Sequence, residues 1–328
     1  MRDFEYIRAR SVDDARKHVM QSGAVFIAGG TTLLDLAKCG VAAPDSVIDI
    51  SRLPDLAKIS ADSDGVTIGA LAKMEDVAAS PGIRADYPAV SKSLSLAASA
   101  QLRNMATTGG NLLQRTRCPY FRDPATFKAC NKRAPGSGCS AIEGVTRNHA
   151  VLGTSDACIA SYPGDLAVAL AALDAVIDLG GRQVAVEDFF LLPSDTPERE
   201  TVLEPGEMIL SIRVPRTPLA RNSTYLKVRD RQSFEFAVAS AAVGLEFEAD
   251  GKTIRNASVA LGGVATRPWR ARSVEAALKG KSLDDVGAIA AASRLAMEGA
   301  VSHGGNRHKI ELAPRVVTRA ILETGGLA

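Results

Sequence analysis

Apolar positions begin to recur only after a charged opening, MRDFEYIRARSVDDARK. Ser11 followed by Asp14 reads as a capping start and Gly23 as a stop, so residues 12–22 are expected to form one short helix. Residues 24–28 (AVFIA) are an apolar run of strand length. Gly29-Gly30 then turns the chain, and residues 31–39 space Leu33, Leu34 and Ala37 as a helix does. Residues 46–50 (SVIDI) form a second strand, which closes a small β-α-β unit at Arg52-Leu53-Pro54.

From about residue 56 the pattern changes. Residues 66–68 read as a strand, 74–79 as a helical turn, and 89–100 (AVSKSLSLAASA) as a long helix of small residues. A Pro- and Gly-rich stretch without periodicity follows. Regular patterning resumes with a helix over 165–173, strands over 175–179 and 183–186, and a turn and strand over 203–215. Beyond residue 223 the texture is that of antiparallel strands (225–228, 236–247, 258–262), then helices over 271–278, 286–298 and 312–323. Strands followed by helices indicate an α+β unit. The Pro- and Arg-rich segment 215–222 is the expected linker. The implied units are residues 1–218, in subdomains 1–54 and 55–218, and residues 223–328.

Length and composition narrow the function classes. The 328 residues carry a net charge of +2 and are 46% hydrophobic, which gives no bulk attraction to nucleic acid or membrane. No run of about 18 apolar residues appears, so no membrane insertion is expected. The charged start lacks an apolar signal core, so no export signal of its own is expected.

Cysteine usage is uneven. Cys118, Cys130, Cys139 and Cys158 fall in the irregular stretch, and Cys39 stands apart. Cys39, on an amphipathic helix, reads as a small buried side chain. Thiols gathered on a loop share a disulfide framework, a zinc ion or an iron–sulfur cluster, and all three stay open here. Basic residues (Arg115, Arg117, Arg122, Lys128, Lys132, Arg133, Arg147) outnumber acidic ones (Asp123, Glu143, Asp156) in this segment. They suit either the negative charge of a thiolate-ligated centre or a solvated basic loop.

Two glycine pairs carry the other chemistry. Phe26-Ile27-Ala28-Gly29-Gly30-Thr31-Thr32-Leu33-Leu34 runs from a strand into a helix, where bare backbone N–H groups and the helix dipole can hold a phosphate. Thr107-Thr108-Gly109-Gly110-Asn111 repeats the same chemistry with hydroxyls and an amide. Each alone also fits a tight turn. Two such sites in one chain suit a ligand with two phosphates and a polar sugar-like chain, such as FAD. His18, His149, His303 and His308 are scattered outside any nucleophile motif and read as surface or packing residues, which argues against hydrolysis.

On these residues the chain resembles the FAD-binding subunit of the molybdenum hydroxylases, the group that includes xanthine dehydrogenase and carbon monoxide dehydrogenase. The resemblance spans nearly the full length. It implies an α+β fold with a two-part FAD-binding domain and a smaller α+β C-terminal domain. The segments 26–34 and 107–111 resemble the two FAD pyrophosphate loops. Gly164-Asp165-Leu166 matches the position where an aspartate binds the ribityl side. Ile209, within Glu207-Met208-Ile209-Leu210-Ser211, matches an aliphatic residue on a strand, packed on the isoalloxazine. Lys227 matches a lysine near the flavin.

The stretch between Asn111 and Asp165 is longer than is usual in the group and contains all four clustered cysteines. This insertion, about 113–160, is similar to that of bacterial aldehyde oxidoreductases of the periplasmic xanthine-oxidase type. There it implies a 4Fe–4S cluster on Cys118, Cys130, Cys139 and Cys158. The resemblance further implies a molybdopterin-binding large subunit, a small subunit with 2Fe–2S clusters, and an external electron acceptor. In that setting the chain passes electrons rather than oxidising substrate. The implied compartment is the periplasm, reached by co-export with a signal-bearing partner, or the cytoplasm. A flavin subunit of the 4-hydroxybenzoyl-CoA reductase or xanthine dehydrogenase type is the alternative. A zinc-stapled module without flavin is the reading from outside the enzyme class.

Overall fold

A computed structural model describes residues 1–327. The first unit is built from β1 (Glu5–Arg8), α1 (Val12–Val19), β2 (Ala24–Ile27), α2 (Leu33–Lys38) and β3 (Ser46–Asp49). The three strands form a parallel sheet in the order β1-β3-β2. Ser11 caps α1 as expected, its Oγ accepting from Asp14 N–H at 3.1 Å. β1 has no apolar signature: its residues are largely exposed, and it pairs with β3 through the backbone ladder and through Tyr6 and Arg8, whose side chains donate to Asp49. β3, between its two neighbours, is buried along its whole length.

The chain continues through β4 (Ile59–Ala61), β5 (Gly65–Gly69), α3 (Met74–Ala79), α4 (Pro81–Asp86), α5 (Pro88–Ser95), α6 (Ala100–Met105), α7 (Thr108–Leu112) and α8 (Pro119–Arg122). Next come α9 (Leu166–Ala172), β6 (Val176–Asp178), β7 (Gln183–Ala185), α10 (Val186–Phe189) and β8 (Ser211–Pro215). β4-β5-β8-β6-β7 make an antiparallel sheet. The expected single helix over 89–100 is two helices, because Ala98 takes φ +48° and breaks the run between α5 and α6. The helix α9, LAVALAA, is apolar all round because every residue of it is buried in the shared core.

The last unit contains α11 (Pro218–Arg221), β9 (Ser223–Val228), β10 (Ala239–Phe247), β11 (Ile254–Gly262), β12 (Trp269–Arg270), α12 (Arg272–Leu278), α13 (Val286–Arg294) and α14 (His308–Thr324). Its antiparallel sheet runs β12-β11-β10-β9, with the helices packed on it around Val243, Val259, Ile289 and Val317. Two residues of the cysteine insertion, Val151 and Leu152, are buried in this same core. The strand expected from residue 236 starts at Ala239, and Phe234 and Phe236 lie in the loop before it. The architecture is α+β, as the sequence implied.

Candidate functional site

Both glycine loops border one two-lobed cleft. The first lobe, ≈ 410 Å³, is lined by residues 25–33, by Leu36, Ile50, Leu71, Leu203, Met208 and Ile209, and by Thr107, Gly109 and Gly110. The second, ≈ 390 Å³, is lined by Asp35, Asn111, Gln114, Arg117 and Asp165, with Arg231, Phe234 and Phe236 on its far side. Thr31, Thr32 and Gly110 belong to both lobes and mark the waist.

Local sequence explains this waist. Gly30 takes φ +73°, a conformation open to glycine. Thr32 stands at the N-cap of α2 without capping it through its side chain; Leu34 N–H is taken by Gly30 C=O at 3.0 Å, which leaves the neighbouring first-turn amides to an anion. A Cβ on Gly29 would stand 2.1 Å from the Met105 carbonyl oxygen; the bare residue lets the first loop close against the chain entering the second. Thr107 caps α7, its Oγ1 accepting from Gly110 N–H at 3.3 Å.

Not every residue expected at the site faces it. Thr108 is fully buried and donates its hydroxyl to Gly69 C=O at 2.8 Å, so it pins α7 to β5. Gly109 borders the first lobe with its bare backbone while packing on Ala70, where a Cβ would meet the Ala70 Cβ at 2.8 Å. Leu34 folds back beside Gly30 and is absent from both lobes. Ile209 lines the cleft from the loop before β8 rather than from a strand. Asn111 does carry an unmet demand: its Oδ1 is buried without a hydrogen-bond partner, which a polar ligand would satisfy.

Asp165 and Lys227 form a buried ion pair at 2.7 Å, with side chains 5% and 1% exposed. Tyr225 adds a hydroxyl donor to Asp165 at 2.6 Å, and Lys227 also donates to Leu96 C=O at 3.1 Å. Burial pushes the Asp165 carboxyl up, against the pull of Lys227 and Tyr225. Lys227 lines neither lobe; it acts on the cleft through Asp165.

The four cysteines are free thiols that line one small cavity of ≈ 10 Å³ beneath Tyr120 and Phe121. Cys130 and Cys139 face each other across an isolated antiparallel bridge. Among the described residues, no group of three or more His, Cys, Asp or Glu side chains is arranged to hold a metal ion as it stands. Burial pushes the Cys118 thiol up to about 12 and raises Cys158 as well, so any metal must displace their protons.

Most basic residues of the insertion are tied down rather than solvated, while Lys128 and Arg147 lie at the surface. Arg117 and Arg122 both pair with Asp35 on α2, Arg117 at 3.0 Å. Arg115 and Lys132 share Glu200, at 2.6 and 2.7 Å. Arg133 donates to the carbonyls of Tyr120 and Phe121 at 2.9 and 2.8 Å. Arg147 holds Asp230 through two contacts of 2.8 and 3.0 Å. The insertion is thereby braced to the helix that begins at the first glycine loop. Asp35, Glu200 and Phe236, over whose ring Arg117 lies, gave no sign of this in the sequence, since each acts on residues far away along the chain. His149, read as a packing residue, places Nε2 3.2 Å from Cys118 Sγ.

Comparison with known proteins gives the same picture. The profile described as FAD binding domain in molybdopterin dehydrogenase matches residues 2–217, and that of the CO dehydrogenase flavoprotein C-terminal domain matches residues 224–324. The chain is 47% identical to the aldehyde oxidoreductase FAD-binding subunit PaoB of Escherichia coli (strain K12), over 85% of this chain and 86% of that one. It is 28% identical to the carbon monoxide dehydrogenase medium chain of Hydrogenophaga pseudoflava, over 97% and 96%. The reconstituted CO dehydrogenase from Oligotropha carboxidovorans superposes with a TM-score of 0.76 at 25% identity, covering 100% of this chain and 99% of that one. These relatives are subunits of oxidoreductases. With matched profiles across nearly its whole length and two glycine loops meeting over one cleft, the chain belongs to the family of FAD-binding subunits of the molybdenum hydroxylases.

Proposed function

We propose that this chain is the electron-transfer subunit of a three-subunit molybdenum aldehyde oxidoreductase. It would take electrons from a molybdopterin-binding large subunit through a 2Fe–2S small subunit and pass them to an external acceptor. The observation that carries this is the two-lobed cleft with a glycine-rich waist, in a chain 47% identical to an aldehyde oxidoreductase subunit. FAD, when bound, supplies exchange of one or two electrons. The backbone of Gly29, Gly30, Thr31, Thr32 and Gly110 is placed to hold a pyrophosphate at the waist.

The lobes refine the expected roles. In FAD the pyrophosphate separates the flavin and ribityl half from the adenosine half. Asp165 and Ile209 lie in opposite lobes, which favours a reading in which they serve different halves of FAD. The lobe of Asp165, Asn111, Gln114 and Arg117 has the polar groups a ribityl chain needs. We assign it the flavin half, and the apolar lobe walled by Phe26, Leu71 and Ile209 the adenine. Lys227 then keeps Asp165 charged for the polar chain. Domain limits at 1–218 and 223–328 belong to the same proposal.

We further propose a 4Fe–4S cluster on Cys118, Cys130, Cys139 and Cys158. Supporting it are the donor set and the four thiols that line one space. A cubane takes one thiolate per iron. Sequence intervals unlike the paired Cys-x-x-Cys of common zinc ribbons disfavour zinc, and the family membership removes the scaffold without flavin. The test of the assembly is optical: in the complex with its molybdenum and 2Fe–2S partners, an aldehyde should bleach the flavin absorbance. Bleaching by aroyl-CoA thioesters in place of aldehydes would favour the 4-hydroxybenzoyl-CoA reductase type. The partner's signal then decides between periplasm and cytoplasm.

A further inference from the structure

A histidine that the flavin cleft does not use is buried against the cysteine cavity. His149 is 2% exposed, and its Nε2 lies 3.2 Å from Cys118 Sγ. Its other ring nitrogen, Nδ1, is buried with no hydrogen-bond partner. Leaving a buried polar atom unpaired is costly, and an apolar residue would fill this space without that cost. The sulfur is the one polar contact the ring makes among the described residues.

The ring is held from two sides. Its backbone N–H donates to Thr146 C=O at 2.8 Å, and Asn306 Nδ2 donates to the adjoining Ala150 C=O at 2.9 Å. Thr146 in turn donates its hydroxyl to His303 C=O at 2.6 Å, which ties this turn to the C-terminal unit. On the other side Tyr120, next but one to Cys118, lies against the imidazole with ring centroids 5.9 Å apart. The other thiols lack such a partner. Cys158 Sγ accepts only a backbone N–H, from Ala160 at 3.5 Å, and no side chain among the described residues hydrogen-bonds to the sulfur of Cys130 or Cys139.

A ligand sulfur bound to iron has no proton, so the nitrogen facing it must carry one and donate. Donation to a ligand sulfur stabilises the reduced, more negative cluster more than the oxidised one and raises its potential. We propose that His149 is a positioning residue that sets the potential of the cluster by donating its Nε2–H to Cys118; this rests on the four-cysteine cluster reading above.

The test compares the whole chain, purified without oxygen, as wild type, His149→Leu and His149→Gln. The cluster's midpoint potential is read by EPR-monitored redox titration, with iron per chain measured on the same samples. Leucine, of similar bulk and without a donor, should keep the iron and move the potential to a more negative value. Glutamine, whose amide can donate, should bring it back toward the wild type. An unchanged potential in His149→Leu with full iron overturns the proposal, and so does an equal shift in both variants. If the leucine variant loses its iron, ENDOR of the wild-type cluster decides. An exchangeable proton coupled to the cluster and lost in His149→Gln or shifted there supports the proposal, and absence of that proton overturns it. A wild-type chain with no iron–sulfur signal overturns the cluster reading itself, an outcome read before any variant is compared.

Discussion

Gly29→Ala tests whether the two glycine loops act as one cradle. The added methyl would stand 2.1 Å from the Met105 carbonyl oxygen and 3.2 Å from Ala106 Cα, where ordinary contact begins at 3.4 Å. That carbonyl cannot yield easily. Lys73 Nζ donates to it at 2.9 Å, and the flanking Ala106 is held by Leu102 C=O at 2.8 Å and by Met74 N–H at 3.0 Å. The first loop must therefore move away from the second. Gly29 does not take a positive φ, so the effect is one of space and not of backbone conformation. Overpacking of this kind costs about 1–3 kcal/mol. Expressed wholly as misplaced loops, that weakens FAD binding about 5- to 150-fold. The assay is titration of the apoprotein with FAD by flavin fluorescence, with thermal unfolding on the same samples. Gly82→Ala is the control, since nothing lies within 4 Å of its Cβ, and it should leave FAD affinity unchanged. A Gly29→Ala chain that binds FAD like the wild type would refute the argument that close approach of the loops builds the site.

Three further outcomes follow from buried charge. Lys227→Met strands the Asp165 carboxylate, with Tyr225 as its one remaining partner, and should destabilise the fold by about 3–5 kcal/mol at neutral pH. Burial already raises the Asp165 pKa, and loss of Lys227 raises it further. The deficit, read by urea unfolding against pH, should therefore narrow as pH falls and the carboxyl takes up a proton. Lys309, 1% exposed, is lowered by burial from 10.5 to about 7 and donates to Gly263 C=O at 2.6 Å. Between those two values the unfolded chain holds the proton and the folded one does not, so this residue makes stability rise with pH from about 7 to 10.5, by roughly 5 kcal/mol in all. Lys309→Met should remove that slope; an identical slope in the variant would refute the assignment. Asp35→Asn frees Arg117 and Arg122 and should lower FAD retention through gel filtration by loosening α2 from the insertion, at a cost of about 1–3 kcal/mol. Full retention would show that the brace does not reach the flavin site.

The glycine loops were legible because their chemistry is local: strand, bare backbone and helix start are adjacent in sequence. The cysteines were legible as a group, since they stand within one insertion. What holds that insertion was not legible. Asp35 receives Arg117 and Arg122 from across the fold, and nothing in the sequence around an exposed-looking aspartate on α2 announces this. His149 was read as packing because a lone histidine carries no spacing signal, and only the fold brings it to Cys118. Phe234 and Phe236 sit in an alternating apolar pattern that imitates a strand, yet Phe234 takes φ +52° and the pattern lines a cleft. β1 escaped for the opposite reason: an exposed edge strand pairs by backbone and leaves no hydrophobic trace. That Asp165 and Ile209 border different lobes is a relation no linear motif contains.

The central claim is that one chain carries both a flavin in the two-lobed cleft and an iron–sulfur cluster on the insertion. FAD, iron, zinc and acid-labile sulfide measured together on one sample purified without oxygen test it most directly. The account predicts one FAD with about four iron and four sulfide per chain and no zinc, and Cys118→Ser or Cys158→Ser should lower iron and sulfide together. Zinc in place of iron, or four free thiols beside a fully bound flavin, would contradict it.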